Sequence, residues 1–118
     1  MKTLVIGASE HPSRYSYKAI RSLLNHGHEV AALANRAGEL QGVKFETSAF
    51  AFEEVDTITL YINPQIQVGY YRYILSLHPR RVIFNPGTEN VEFMDLLKQN
   101  EIESVIACTL VMLSTNQY

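Results

Sequence analysis

The residues best placed for binding chemistry follow three predicted strands of this 118-residue chain. They are Gly7-Ala8-Ser9 after the first strand, Ile62-Asn63-Pro64 after a central strand and Asn85-Pro86-Gly87 after the next. In an alternating β/α chain such loops share the carboxyl edge of a parallel sheet, where open α/β folds bind their ligands. We therefore expect the function of the protein at this edge. A purely structural interpretation stays open, because Asn caps free helix N–H groups and Pro lacks one.

The loop after the first predicted strand has the features of a phosphate-binding loop. Gly7 and the small Ala8 allow the backbone to approach a ligand closely, and the following helix offers free N–H groups to an anion. Ser9 and Ser16 can donate hydroxyl hydrogen bonds. Arg14 can make a bidentate contact with phosphate, and in a first helical turn a cation gains nothing from the helix dipole. The loop therefore indicates a phosphate-bearing ligand.

The spacing of this loop excludes two common phosphate motifs. It is neither Gly-x-Gly-x-x-Gly nor Gly-x-x-x-x-Gly-Lys-Ser/Thr, so it predicts neither an ordinary NAD site nor an ATPase loop. The residues at the end of the second predicted strand distinguish NAD from nucleotides with a ribose phosphate. NAD sites usually carry an acidic residue there, whereas an arginine accommodates a ribose phosphate. This chain has Asn35-Arg36 and no acid. A nucleotide with a phosphate on its ribose, such as coenzyme A or NADP, is favoured, although an exposed loop arginine remains the alternative interpretation.

Length and composition predict one soluble globular domain that spans residues 1–118. Hydrophobic residues make up 47% and charged residues 19% of the chain, which is typical of globular proteins. The net charge of −2 argues against generic attraction to nucleic acid or to an acidic membrane surface. Positive charge is concentrated around the first loop, at Arg14, Lys18, Arg21 and Arg36. A small anionic ligand fits this distribution better than a polyanion.

The single cysteine, Cys108, excludes an internal disulfide framework and a zinc site built on cysteine spacing. A chain without disulfides points to a reducing compartment. No apolar run reaches the length of a signal-peptide core or a membrane span. We therefore expect a cytoplasmic protein.

Strands and helices alternate along the chain. Leu4-Val5-Ile6 and the stretch from Thr57 to Ile62 read as buried strands, and Ile20 and Leu23 mark one face of an intervening helix. Such alternation produces a parallel sheet with right-handed crossovers and helices on both faces. We predict an α/β fold, a small three-layer Rossmann-like domain with a mainly parallel sheet of about five strands.

In its order of motifs the chain resembles the small, stand-alone coenzyme A-binding proteins, relatives of the coenzyme A-binding domain of succinyl-CoA synthetase. The segments that carry the resemblance are Gly7-Ala8-Ser9, Pro12, Arg14-Tyr15-Ser16, Gly27-His28-Glu29-Val30, Glu39-Leu40-Gln41-Gly42, the stretch from Asp56 to Pro64, the stretch from Arg81 to Asn90 and the stretch from Ala107 to Leu113. It runs through nearly the whole chain.

The resemblance implies that the carboxyl edge receives coenzyme A. The residues it implies around the pyrophosphate are Gly7, Ala8, Ser9, Arg14 and Ser16. It places the Asn35-Arg36 loop near the adenosine end, although many family members have a proline-containing segment there that this chain lacks. It places Ile62-Asn63-Pro64 and Asn85-Pro86-Gly87 along the rest of the ligand.

No pattern in the sequence points to catalysis. No Ser-His-Asp order, paired carboxylates or metal-ligand spacing is present, so we expect no catalytic residue and no metal. The favoured function is a module that binds coenzyme A or an acyl-CoA, for storage, sensing or delivery. The alternative is an NADP-dependent or other nucleotide-utilising enzyme or enzyme subunit, although the chain lacks the Tyr-x-x-x-Lys pattern of a reductase.

Cys108 follows the last predicted strand and so falls near the carboxyl edge. There the thiol of coenzyme A could reach it and form a mixed disulfide. The alternative is a small buried hydrophobe, since no basic neighbour in the sequence would lower the pKa of this thiol. The sequence names no protein partner.

Overall fold

A chain in which each strand is followed by a helix returns successive strands in the same direction. The computed structural model describes residues 1–118. The strands are β1 (Lys2–Ile6), β2 (Glu29–Leu33), β3 (Gly38–Leu40), β4 (Val43–Glu46), β5 (Val55–Leu60), β6 (Arg81–Phe84) and β7 (Glu103–Ile106). They form one sheet in the order β3-β4-β2-β1-β5-β6-β7, in which β3 is antiparallel to β4 and the other pairs are parallel.

Helices cover both faces of this sheet. They are α1 (Tyr15–Asn25), α2 (Pro64–Gln67), α3 (Tyr71–Ser76), α4 (Val91–Gln99) and α5 (Thr109–Ser114), with a single 3₁₀ turn (Val68–Tyr70) between α2 and α3. None of them combines the length and the apolar character that crossing a membrane requires.

The sheet separates two apolar clusters, because side chains alternate along each strand. Leu4 of β1 packs on one face with Ile74 of α3 and Phe93 of α4. Val5 points to the opposite face and packs there with Ile20 of α1. α5 shares this second face through Leu113. The structure thus confirms the three-layer α/β class.

The strand count differs from the prediction: the sheet has seven strands, not about five. The difference lies in residues 38–46, where β3 and β4 form a short hairpin. The two residues that join them, Gln41 and Gly42, have φ values of 49° and 86°. This is the backbone of a tight hairpin turn whose twist matches that of the strands. A strand of only three residues is too short for its pattern to stand out in sequence.

The two Asn-Pro pairs have different local roles. Asn63 caps α2 as expected, since its Oδ1 accepts a hydrogen bond of 2.9 Å from the backbone N–H of Ile66. Asn85 does not cap the helix that follows it in sequence, so the expectation of a helix start at this Asn-Pro pair was wrong. α4 begins only at Val91, where Asn90 is the cap and accepts from the N–H of Phe93 at 3.1 Å.

Candidate functional site

A cleft of about 1090 Å³ opens at the carboxyl edge of the sheet. Its walls come from the segments that follow β2, β1 and β5, three adjacent strands. From β1 the chain crosses to β2 on one side, and β5 pairs with β1 on the other. The cleft therefore lies at the point where the direction of strand addition reverses, which is where open α/β sheets bind their ligands.

The structure brings nine of the fourteen predicted site residues to the cleft walls. From the loop and first turn after β1 these are Gly7, Ala8, Ser9, Arg14 and Ser16. From the segments after β2 and β5 they are Asn35, Arg36, Ile62 and Asn63. The remaining five do not line it: Pro64, Asn85, Pro86, Gly87 and Cys108. The last four of these follow β6 and β7, which lie beyond β5 along the same edge.

The start of the β1–α1 loop (residues 7–14) is held between β2 and β5. The backbone N–H groups of Gly7 and Ala8 both donate to the carbonyl of Leu33, at 2.9 and 3.1 Å. Gly7 has φ +96°, and a Cβ placed on it would lie 2.7 Å from the carbonyl oxygen of Tyr61. A side chain at this position would meet both backbone strain and a backbone collision. Glycine here sets the close approach of the loop to β5.

Further along the loop, three side chains hydrogen bond to one another or to the nearby backbone. Ser9 Oγ accepts from the N–H of His11 at 3.0 Å. The Nδ1 atom of His11 accepts from the N–H of Ser13 at 3.2 Å and lies 2.7 Å from Ser13 Oγ. Because a backbone N–H only donates, Nδ1 carries the lone pair, and a neutral His11 holds its proton on Nε2. These hydrogen bonds give the loop a defined conformation, and His11 lies on the cleft wall.

The first turn of α1 presents unpaired donors to the cleft. Arg14 occupies the capping position, and no side chain accepts a hydrogen bond from the first turn of this helix. The first turn also contains no acidic residue. The free N–H groups and the positive end of the helix dipole are therefore available to an anion.

Two arginines of the cleft have no carboxylate partner. Arg14 and Arg36 both line it, and neither takes part in any of the four ion pairs of the chain. The one acidic residue on the walls is Glu10, whose Oε2 accepts from the N–H of Glu39 at 3.0 Å. Two free guanidinium groups on different segments of the wall, one after β1 and one after β2, suit a ligand with anionic groups at two separate places.

Tyr61 lines the cleft, and its hydroxyl is neutral and buried. Burial raises the pKa of Tyr61 to about 12, and the nearby Thr59 and Thr109 hydroxyls only oppose this rise. Neither is in hydrogen-bonding geometry with the buried Tyr61 Oη, which has no partner. The phenol stays protonated at neutral pH and offers no charge for acid–base chemistry there.

Asn85 does not face the cleft, and its side chain holds together the elements at the carboxyl edge beyond β5. It is 2% exposed, and its Nδ2 donates to Thr59 Oγ1 at 2.7 Å and to the Leu60 carbonyl at 2.9 Å. Its Oδ1 accepts from the N–H of Thr109 at 2.9 Å. Because the amide is satisfied internally, Asn85 ties together the ends of β5 and β6 and the start of α5.

Cys108 is half-buried at the residue before α5, without a disulfide. It lies close enough to Tyr61 to affect the pKa of that phenol. The thiol is therefore near the cleft but not on its wall.

Several cleft residues were absent from the predicted site. Glu10, His11 and Ser13 belong to the loop already singled out, so their position in it was the available signal. Phe45, Ile66 and Tyr70 are apolar and come from elements whose local pattern predicts only packing. Across the chain, His, Cys, Asp and Glu side chains form no group of three that could hold a metal ion.

Comparison with known proteins confirms the family resemblance. A family model described as a CoA binding domain matches residues 1–114. A solved structure of an uncharacterized protein is 51% identical, with a TM-score of 0.97 over 99% of this chain and 97% of the other. No curated protein matches at a significant level.

Two more distant structures share the fold. A protein from Thermus thermophilus is 24% identical, with a TM-score of 0.87 over 99% of this chain and 90% of that one. The dinucleotide forming acetyl-coenzyme A synthetase 1 of Ca. Korarchaeum cryptofilum, solved with phosphate and ADP, is 19% identical with a TM-score of 0.75. There the match covers 90% of this chain but 25% of the synthetase.

Proposed function

Since the chain belongs to the CoA binding domain family, we propose that it binds coenzyme A, free or as an acyl thioester, in the cleft at the carboxyl edge. The observation that carries the proposal is the pair of arginines without ion pairs on the cleft wall, Arg14 after β1 and Arg36 after β2. Coenzyme A is anionic at two separate places, a pyrophosphate and a ribose phosphate. The two free arginines on separate segments of the cleft wall match these two anionic places in number and in sign of charge.

In this proposal the pyrophosphate lies at the first turn of α1. The free N–H groups of that turn and the Arg14 guanidinium supply charge-assisted hydrogen bonds. Gly7 and Ala8 let the ligand approach the backbone, and Ser9 and Ser16 border the same position. These five residues are the proposed phosphate contacts.

The adenosine end lies toward β2. Arg36 pairs with the ribose phosphate and Asn35 lies beside it, since both follow β2 on the cleft wall. From the pyrophosphate the pantetheine arm then extends toward the segment after β5, where Ile62 and Asn63 line the cleft. The residues off the walls, Pro64, Asn85-Pro86-Gly87 and Cys108, border only the far end of the ligand in this arrangement.

We assign the protein the role of a binding module that holds, senses or delivers the coenzyme, in the cytoplasm. The cleft supports this role because the free arginines and the free helix N–H groups on its walls are groups that bind anions. Glu10 is engaged with the Glu39 N–H, and Tyr61 is neutral at physiological pH. Lone Cys108 fits a reducing compartment.

A nucleotide-utilising enzyme or enzyme subunit is the second candidate. It is favoured by Arg36, because an arginine after the second strand also accommodates the ribose phosphate of NADP. The two candidates differ in ligand, so binding distinguishes them.

Calorimetric titration with coenzyme A, NADP, NAD and ATP tests the proposal. We expect a one-to-one complex with coenzyme A and weaker or undetectable binding of the other three. A ligand present at 100 times its Kd also stabilises the native state by about 2.7 kcal/mol, so the Tm should rise with coenzyme A. Tighter binding of NADP would favour the second candidate, and no response to coenzyme A would contradict the first.

A further inference from the structure

The segment after β5 reverses the usual distribution of polar and apolar side chains. Gln67 is fully buried, whereas its neighbours Ile66 and Val68 are 47% and 56% exposed. A buried polar residue and exposed large apolar residues are the informative exceptions to the burial rule. Their occurrence side by side in one short segment calls for a physical cause.

Hydrogen bonds to Gln67 fix this reversal. Its Nε2 donates to the carbonyls of Ile62 and Thr88 at 2.9 and 2.8 Å. Its Oε1 accepts from Asn90 Nδ2 at 3.0 Å. A buried amide with three partners anchors the segment firmly, because releasing it would leave buried polar groups unpaired. The exposure of Ile66 is therefore built into the fold and does not come from fraying.

The exposed apolar surface faces the cleft. Ile66 and Tyr70, one helical turn apart, both line it, and Val68 does not. They lie on the β5 side, across the β1–α1 loop from Arg36. The cleft is thus asymmetric, with a cationic end toward β2 and an apolar end beyond the first turn of α1.

We propose that the physiological ligand is a coenzyme A thioester with an apolar acyl group, and that this group packs against the wall formed by Ile66 and Tyr70. The inference rests on the proposed function, which fixes the direction of the ligand. With the ribose phosphate at Arg36 and the pyrophosphate at Arg14, the thiol end leaves the phosphate site on the β5 side. An apolar wall at that end stabilises an acyl chain and offers nothing to a free thiol.

Titration with S-alkyl thioethers of coenzyme A tests the inference, because thioethers cannot be hydrolysed. Full burial of one methylene group is worth about fourfold in affinity. S-ethyl-CoA is shorter than S-butyl-CoA by two methylene groups. On this open wall we expect S-butyl-CoA to bind about fivefold more tightly than S-ethyl-CoA. Ile66→Ser should abolish this dependence on chain length and leave the affinity for free coenzyme A within about twofold.

Val68→Ser is the matched control, since it removes a similarly exposed apolar side chain two residues away and off the cleft wall. It should retain the chain-length dependence of the wild type. Equal affinities for the two thioethers, with coenzyme A itself bound, would overturn the inference and leave the proposed function intact. So would an Ile66→Ser variant that loses free coenzyme A as strongly as S-butyl-CoA, because the wall would then contact the pantetheine arm. Absence of binding by every coenzyme A compound would overturn both.

Discussion

The Glu10 side chain reaches from the β1–α1 loop to the hairpin at the sheet edge, where its carboxylate accepts a hydrogen bond of 3.0 Å from the backbone N–H of Glu39. The contact is close: a Cβ on Gly38 would lie 2.6 Å from the carboxyl carbon of Glu10. The bond joins the cleft wall at Glu10 to the hairpin outside the cleft. It also fixes a negative charge among groups that we propose to bind phosphate.

Glu10→Gln should therefore bind coenzyme A more tightly than the wild type. The amide oxygen of glutamine can still accept from the Glu39 N–H, while the repulsion of the ligand phosphates is removed. An interaction between exposed charges is worth up to about 1 kcal/mol, or about fivefold in affinity at low salt. Calorimetry measures it, with Glu39→Gln as a control for a charge removed outside the cleft. An affinity that falls would show that the ligand phosphates do not lie near Glu10.

Arg14→Ala should weaken coenzyme A binding far more than it alters stability. A hydrogen bond to a charged group is worth about 1.5 to 3 kcal/mol, whereas an exposed arginine without an ion pair contributes little to folding. Arg21→Ala removes the same charge from the same helix, away from this cleft. Measured Kd and Tm values for both variants separate a direct contact from a general field effect. Equal losses of affinity in the two would exclude Arg14 as a phosphate ligand.

Arg36→Ala should reduce affinity for coenzyme A but not for dephospho-coenzyme A. The reason is that the proposed partner of Arg36, the ribose phosphate, is missing from the second ligand. Titrating both ligands into wild type and variant gives a double-difference that isolates this contact. A variant that loses the same factor for both ligands would assign Arg36 a different role.

Gly7→Ala should destabilise the fold by about 3 kcal/mol, because a positive φ and a collision with the Tyr61 carbonyl act together. Gly87→Ala is the matched control. Its φ is +90°, but a Cβ there would meet nothing within 4 Å, so we expect a loss of only about 1 kcal/mol. Urea unfolding of the two variants measures the difference. Similar losses would mean that the loop can move away from β5.

The ionised Asp56 carboxylate should contribute stability to the fold that is lost at acidic pH. Its carboxylate accepts two hydrogen bonds from Arg80, at 3.0 and 3.1 Å, and these hold the pKa of Asp56 below its usual 3.8. A depressed folded-state pKa gives stability that is present above the unfolded value and lost as the pH falls through the folded one. Asp56→Asn should therefore lose less stability than wild type between about pH 5 and about pH 2. Asp95→Asn is the control, since Asp95 is exposed and unpaired, and it should follow the wild-type profile.

Those parts of the fold that depend on local pattern could be predicted from sequence. The buried run Leu4-Val5-Ile6 and the β-branched stretch of β5 specify two central strands. Gly7, at the end of the first of them, marks the start of the β1–α1 loop. Once the strands alternate with helices, the carboxyl edge follows from topology. This is why nine of the predicted site residues meet in one cleft.

The features that could not be predicted from the sequence depend on contacts between residues far apart in the chain. Asn85 resembles Asn63 locally, but the hydroxyl of Thr59 and the backbone groups of Leu60 and Thr109 satisfy its amide. It therefore does not cap the helix that follows it in sequence. The segment from Pro64 to Ser76 forms two short helices joined by a 3₁₀ turn. Gln67 is anchored there by the Thr88 carbonyl and Asn90, partners more than twenty residues away. The apolar end of the cleft depends on those two bonds.

The most direct test of the central claim is native mass spectrometry of the protein equilibrated with an equimolar mixture of coenzyme A, NADP, NAD and ATP. One spectrum then compares the four ligands under identical conditions. The account predicts a single one-to-one complex whose added mass is that of coenzyme A. A complex with the mass of NADP, or the free protein alone at ligand concentrations that saturate ordinary cofactor sites, would contradict it.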